Sequence, residues 1–231
     1  MSSLLQIKVL GEFAVRRDGE AVPLPPSRKT RALLAYLAVS GRPQRRETLC
    51  EMFWDVPDDP RGSLRWSLSK LRQVLVVSDE LLLETDRNTV NVAHGRIGLD
   101  YDALRSLTPA ALEGLDVAEL EAIVAQFDGP FLADLHLPRC PTFEAWRIAL
   151  HNETHLLRLK ALRRLLEKLE DDPERALVHA QALAALCPDD DLRAEIDRHL
   201  RGASLLAFGQ AEEAVDIQGR GDLVPQERPD G

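Results

Sequence analysis

Arg61-Gly62-Ser63-Leu64-Arg65-Trp66-Ser67-Leu68-Ser69-Lys70-Leu71-Arg72-Gln73-Val74-Leu75 is the stretch whose reading decides the fold. At about 100° per residue, Leu64, Leu68, Leu71 and Leu75 fall within one narrow arc, the mark of an amphipathic helix with a buried stripe. Gly62, Trp66, Ser69, Lys70 and Gln73 lie opposite, and Arg61, Arg65 and Arg72 stand on the flanks, where a guanidinium stem can follow the core edge and still reach an anion. One face packs. The other offers cations around a tryptophan.

Working outward toward the N-terminus, Pro43-Gln44 opens a second, shorter helix carrying Leu49, Met52 and Phe53, closed by Trp54 to Pro60. Before it, Ser27 is the N-cap of a first helix in which Thr30, Leu33, Leu34 and Leu37 recur at helical spacing up to Gly41. Earlier still, Leu5, Ile7 and Val9 alternate, then Phe13 and Val15. A turn at Asp18-Gly19 leads to Ala21, Val22 and Leu24, so the start reads as short antiparallel strands. Toward the C-terminus, Leu81 to Leu83, a turn at Asp86-Arg87-Asn88 and Val90 with Val92 read as a hairpin ended by Gly95. Strands, three helices and a hairpin, in that order, are the layout of a winged helix-turn-helix, in which the third helix enters the DNA major groove and the hairpin reaches the neighbouring backbone or minor groove.

From Leu99 onward strand signals vanish and helical patterns follow: Tyr101 to Leu107, Val117 to Phe127, Phe143 to about Leu169, Glu174 to Leu186 and Asp191 to Phe208. The long one carries two apolar stripes, Trp146, Leu150, Leu157 and Ala161 against Leu159, Leu162, Leu166 and Leu169, and is expected to be covered from both sides. Pro173-Glu174-Arg175-Ala176-Leu177-Val178 is echoed by Ala211-Glu212-Glu213-Ala214-Val215, the alanines 38 residues apart, near the period of about 34 of tetratricopeptide repeats. The expected domains are therefore residues 1–98, an α+β winged helix-turn-helix with an N-terminal antiparallel sheet, and residues 99–216, all helical. Residues 217–231, without periodicity, are expected to be a disordered tail or linker.

The chain has 231 residues, 45% hydrophobic and 29% charged, which suits one large or two ordinary domains and excludes a disordered or fibrous protein. Its longest apolar run, Ala32 to Val39, is eight residues, against roughly 18 for a membrane span, and no signal segment opens the sequence. A soluble, cytosolic protein is expected. Cys50, Cys140 and Cys187, 90 and 47 residues apart, form neither a disulfide framework nor a zinc-finger spacing, so buried free thiols are expected. The formal charge of −9 divides unevenly: residues 1–96 hold 15 Lys and Arg against 12 Asp and Glu, and residues 97–231 hold 14 against 26, a net +3 and −12. Within residues 28–72 there are 10 basic and 5 acidic side chains, a local excess able to attract a phosphate backbone.

Leu10-Gly11-Glu12-Phe13, Arg28-Lys29-Thr30-Arg31-Ala32-Leu33-Leu34-Ala35-Tyr36-Leu37, Phe53-Trp54 and Leu68-Ser69-Lys70-Leu71-Arg72 together resemble the OmpR-type DNA-binding domain of the Streptomyces antibiotic regulatory protein family. Phe127-Asp128-Gly129-Pro130-Phe131-Leu132, Phe143-Glu144-Ala145-Trp146-Arg147 and Cys187-Pro188-Asp189 resemble the bacterial transcriptional activator domain that follows it in that family. The two resemblances cover roughly residues 4–216. They imply a transcriptional activator, two protomers on a promoter direct repeat, and a tetratricopeptide-like helical domain that holds the dimer and contacts RNA polymerase. The repeat stops soon after Val215, where the family usually adds a helix, which implies either a divergent member or a longer parent chain.

With the third helix in the major groove, Arg65 and Lys70 donate to guanine edges or phosphates, Gln73 pairs with adenine, and Ser69 reaches base or backbone. The plain alternative is a solvated face. Trp66 stacks on a sugar, packs on a thymine methyl, or is covered by the second domain. Arg28, Lys29 and Arg31 on the first helix and Arg45 and Arg46 on the second are expected at phosphates, helped by the helix N-termini, though each alone reads as an ordinary surface charge. Arg87 is the contact expected of the hairpin tip, with Asn88 serving the turn. Four neutralised phosphates would give a slope of log affinity against log salt near −4.

No enzyme is expected: nucleotide-phosphate, nucleophile-elbow and dinucleotide loops are missing. His151-Asn152-Glu153-Thr154-His155 places two histidines four apart, but its glutamate stands third, where the zinc motifs have it second or fourth, so no metal and no cofactor are expected. Arg220-Gly221-Asp222 reads as chance. The alternative function is a protein-interaction module, a winged helix without DNA affinity at the sensory front end of a longer signalling protein or enzyme.

Overall fold

The computed structural model describes residues 5–54, 59–105 and 107–186. It is a mixed α+β fold with an N-terminal sheet followed by several helices. Contacts divide the chain into two compact units: Met1–Gly114 with Glu121–Arg158, and Leu115–Leu120 with Leu159–Gly231.

In the first unit, β1 (Leu5–Lys8), β2 (Ala14–Arg17) and β3 (Glu20–Ala21) form the expected meander, turning at Asp18 and Gly19 with φ of 52° and 88°, values that Gly and Asp adopt at low cost. The sheet is not purely antiparallel, however. A fourth strand, β9 (Ile97–Leu99), joins β1 in parallel, Leu5 opposite Ile97 and Ile7 opposite Leu99. Three residues ending in Leu99 are too short to show alternation, and their place is fixed by the buried Ile97 and Leu99 side chains and by the Asp100 carboxylate. That carboxylate accepts the Val9 and Leu10 amides at 3.0 Å each.

Helix α1 (Arg28–Ser40) begins at Ser27, whose side chain accepts the Thr30 N–H, and ends at Gly41 in the left-handed region. The second helix, α2 (Arg46–Phe53), starts two residues later than the Pro43-Gln44 reading. Gln44–Arg45 is a strand, β4, extended by its pairing with Thr89 and Val90, and Arg45, still extended, is the N-cap from which α2 starts. Helix α3 (Pro60–Val74) is followed by a small ribbon, β5 (Val76–Val77) and β6 (Glu80–Leu81), turning at Ser78 and Asp79, both at positive φ. Leu81 therefore belongs to this ribbon, and the hairpin expected from Leu81 onward is instead β7 (Leu83–Thr85) with β8 (Thr89–Val92), to which β4 adds a third strand.

Beyond β9 the unit takes up α4 (Asp102–Arg105), α5 (Pro109–Gly114), the end of α6 (Val117–Val124) and residues 141–158 of α7 (Pro141–Lys168). Residues from both sides of position 98 share one core. Leu10 forms a bridge with Phe131, Leu132 and Ala133 donate to the Val9 and Gly11 carbonyls at 2.8 and 2.9 Å, and Asp134 accepts the Phe13 amide at 2.7 Å. An aromatic cluster closes the other side, with ring centroids 5.0 Å apart for Tyr36 and Trp146, 5.3 Å for Phe53 and Phe143, and 5.7 Å for Phe131 and Trp146. Burying Phe131 and Phe143, 1% and 0% exposed, is worth about 1.5–3 kcal/mol each.

The second unit buries Leu120, Ala161, Leu162, Leu165, Leu169, Ala180 and Leu183. Asp116 and Glu119 cap each other's amides at 2.8 Å at the start of α6, a reciprocal box that satisfies two orphan donors. Helix α8 spans Pro173–Leu186. Of the two stripes expected on α7, Ala161, Leu162 and Leu169 are buried and Trp146, Leu150 and Leu157 pack half-buried against the core of the first unit, while Leu159 and Leu166 are only half-buried and Leu165 takes a buried place that the spacing did not assign it. The helix is also not covered all round, with Ile148 48% and Leu156 56% exposed. The expected helix Asp191–Phe208, the Cys187-Pro188-Asp189 match, the 211–215 echo and the 217–231 tail lie outside the described residues. Cys50 and Cys140 are buried free thiols, and among the described residues no helix is long and apolar enough to cross a membrane.

Candidate nucleic-acid interface

Helix α3 is positioned by its apolar arc and its cap. Leu64, Leu68, Leu71, Val74 and Leu75 are buried, and the buried hydroxyls of Ser67 and Thr30 meet at 3.0 Å, tying α3 to α1. Asp59 caps the first turn, accepting the Gly62 amide at 2.8 Å, and Pro60 occupies the first position, where its missing N–H costs nothing. The roll of the helix is thus fixed, and Arg61, Arg65, Trp66, Ser69, Arg72 and Gln73 are exposed while Lys70 is half-buried.

Several of these side chains have partners that spacing along the chain does not announce. Arg65 pairs with Asp59 at 3.5 Å. Lys70 Nζ stands 5.7 Å from the Trp66 ring centroid, a cation–π contact. Arg72 donates to Thr85 Oγ1 at 3.4 Å, linking α3 to the β7–β8 hairpin.

A groove of about 830 Å³ opens where the first turns of α2 and α3 meet the hairpin tip. It brings together Arg45, Arg46, Arg61, Arg65, Arg87 and Asn88 from the expected set, along with Glu47, Glu51, Asp59, Asp86 and the Cys50 thiol. Within it Arg45 pairs with Glu47 at 3.5 Å, and Arg46 donates through Nε to the Asp86 carbonyl at 3.0 Å. The Asn88 carbonyl accepts the Arg46 amide at 2.9 Å. The Asp86 carboxylate accepts Thr89 Oγ1 and the Asn88 and Thr89 amides, and these bonds, the Thr89 hydroxyl first, hold it below the ordinary carboxylate range. Burial pushes the Cys50 thiol up against the opposing pull of Arg61 and Arg46.

Arg28, Lys29 and Arg31 on α1 do not line this groove. Arg28 is exposed and Lys29 half-buried, while Arg31 lies 3.7 Å from Asp134 and donates to the Pro26 carbonyl. Asp59, Thr85, Asp86 and Asp134 are the partners that sequence reasoning missed. The Asp-Pro-x-Gly sequence at 59–62 is an N-cap signal that pointed to the first of them. On α7 the rings of His151 and His155 stack 6.1 Å apart, and Glu153 accepts the Tyr101 hydroxyl at 3.4 Å. Among the described residues no three His, Cys, Asp or Glu side chains converge to hold a metal.

No family model matches the chain, and no curated protein does. Among solved structures it resembles Mycobacterium tuberculosis EmbR in complex with a low-affinity phosphopeptide, with a TM-score of 0.56 and 19% sequence identity over 94% of this chain and 72% of that one. At this identity the likeness is one of fold.

Proposed function

We propose that the chain is a DNA-binding transcriptional regulator without a catalytic role, its α3 entering the major groove as the reading helix of a winged helix-turn-helix and its β7–β8 hairpin serving as the wing. The observation that carries this reading is the exposed side of α3, where Trp66 stands at the outward pole with Lys70 against its ring and Arg61, Arg65 and Arg72 on the flank, on a helix that contains no acidic residue. The groove at the first turns of α2 and α3, with Arg61 and Arg87 on its walls, supports passage of a phosphate backbone between the reading helix and the wing. The resemblance of its motifs to the Streptomyces antibiotic regulatory protein family implies two protomers on a promoter direct repeat and contact with RNA polymerase through the helical residues of 99–216, and the likeness to EmbR supports the fold on which that reading rests.

Replacing Arg65 and Lys70 together by alanine is expected to abolish retention of promoter fragments in a gel shift while leaving the melting temperature unchanged. The Arg65–Asp59 pair, with side chains 68% and 62% exposed, contributes little to stability. Unchanged retention removes the reading of this face.

A second reading, a winged-helix module that binds protein rather than DNA, draws on the net −12 of residues 97–231 and on the phosphopeptide held in the EmbR complex. A heparin column at low salt separates the two: a DNA reader is retained and released with a steep salt dependence, and an interaction module flows through.

A further inference from the structure

We infer that Trp66 reads the C5-methyl group of thymine, an inference that rests on α3 being the reading helix. Trp66 is 51% exposed at the outward pole of α3, and the Thr30–Ser67 hydroxyl pair beside it keeps the helix from rolling the indole inward. The neighbouring guanidinium groups are drawn away from the pole, Arg65 toward Asp59 at the first turn and Arg72 toward Thr85. That leaves the indole, with Lys70 over one face at 5.7 Å, at the centre of the exposed surface.

A half-open indole leaves apolar area in water, and covering it is favourable only with an apolar partner. On the base edges of the major groove the thymine methyl is the apolar feature, every other distinguishing group being a hydrogen-bond donor or acceptor. With α3 docked as a reading helix, its pole would face the base edges on the groove floor and flank residues such as Arg61 the sugar-phosphate walls. With Lys70 on one ring face, the other face and the edge are what the indole offers, which suits a methyl group better than a stacked base. The absence of acidic residues on α3 favours a polyanion over a protein partner for this surface.

The test begins with duplexes selected from a library with a random core of about 20 base pairs, near the span of two half-sites. Each thymine in the enriched duplex is then replaced singly by uracil, which removes the methyl and nothing else. One position in each half-site is expected to lose roughly fourfold in affinity, the worth of one buried methyl-sized group, by fluorescence anisotropy with the wild-type chain. In Trp66→Ala the thymine and uracil duplexes are expected to bind equally. No uracil-sensitive position, or equal sensitivity in Trp66→Ala, overturns the assignment of the indole while leaving DNA reading intact. Failure of the library to enrich any duplex overturns DNA reading, and this inference with it.

Discussion

The Glu144 side chain, 11% exposed in the first turn of α7, accepts the Leu137 amide, His136 Nδ1 at 3.0 Å and the Arg147 guanidinium at 2.9 and 3.2 Å. Burial raises its pKa, but the bonds from Arg147, Leu137 and His136 together outweigh burial and hold the carboxyl below its ordinary value. A carboxylate depressed in the folded state contributes stability that is present above its unfolded value, near 4.3, and is lost as the pH falls through the lower folded one. Glu144→Gln is therefore expected to cost about 1.5–3 kcal/mol in urea unfolding at pH 7, the worth of hydrogen bonds to a charged group. The gap to wild type should close as the pH drops below about 4. A gap of the same size at pH 3.5 would mean that the lost charge is not the cause. The Arg147 contact, three residues along one helix, was legible from spacing alone. The Leu137 contact was not, because it depends on how the chain turns before α7, just as the outward place of Trp66 was legible from helical phase while the Asp59 partner of Arg65 was not read.

Among the elements, α1 and the β2–β3 turn were readable because their signals are local: Ser27 caps, Gly41 ends, Asp18-Gly19 turns. The start of α2 and strand β9 were not, because Gln44, Arg45 and Ile97–Leu99 owe their conformation to partners 44 or more residues away. At the head of α3 a local coupling can be measured. A Cβ on Gly62 would stand 2.1 Å from Asp59 Oδ2 and 2.7 Å from its Cγ, so an alanine there displaces the capping carboxylate. Gly→Ala in a helix gains about 1 kcal/mol in propensity, and loss of an Asp cap costs about 1 kcal/mol, so Gly62→Ala is expected to leave the stability near wild type. In an Asp59→Ala background the cap is already gone, and the same substitution is expected to stabilise by about 1 kcal/mol. Urea denaturation of the four proteins gives the coupling directly. Additive effects would show that the carboxylate holds no cap in solution.

At the scale of the whole molecule, the sequence divides where strand signals stop, near position 98, because periodicity reports the type of each segment and not the segment it returns to. The contacts of the first unit run across that point. Phe131, Leu132, Leu135 and Phe143, each at most 1% exposed, complete a core begun by Leu10, Leu37 and Phe53. The Val9, Leu10 and Gly11 carbonyls take amide donors from residues 128–133. At about 1.5–3 kcal/mol per buried side chain, those four alone amount to roughly 6–12 kcal/mol, comparable to the whole stability of about 5–15 kcal/mol of an ordinary domain. A fragment of residues 1–98 keeps every side chain proposed above to contact DNA and still lacks the means to hold them in place. It is expected to melt without a cooperative transition and to give a poorly dispersed amide spectrum, whereas residues 1–158 should unfold in one step. A cooperative melt and a dispersed spectrum from 1–98 would show that the aromatic cluster around Phe131 and Phe143 is an attachment to a finished core and not part of it.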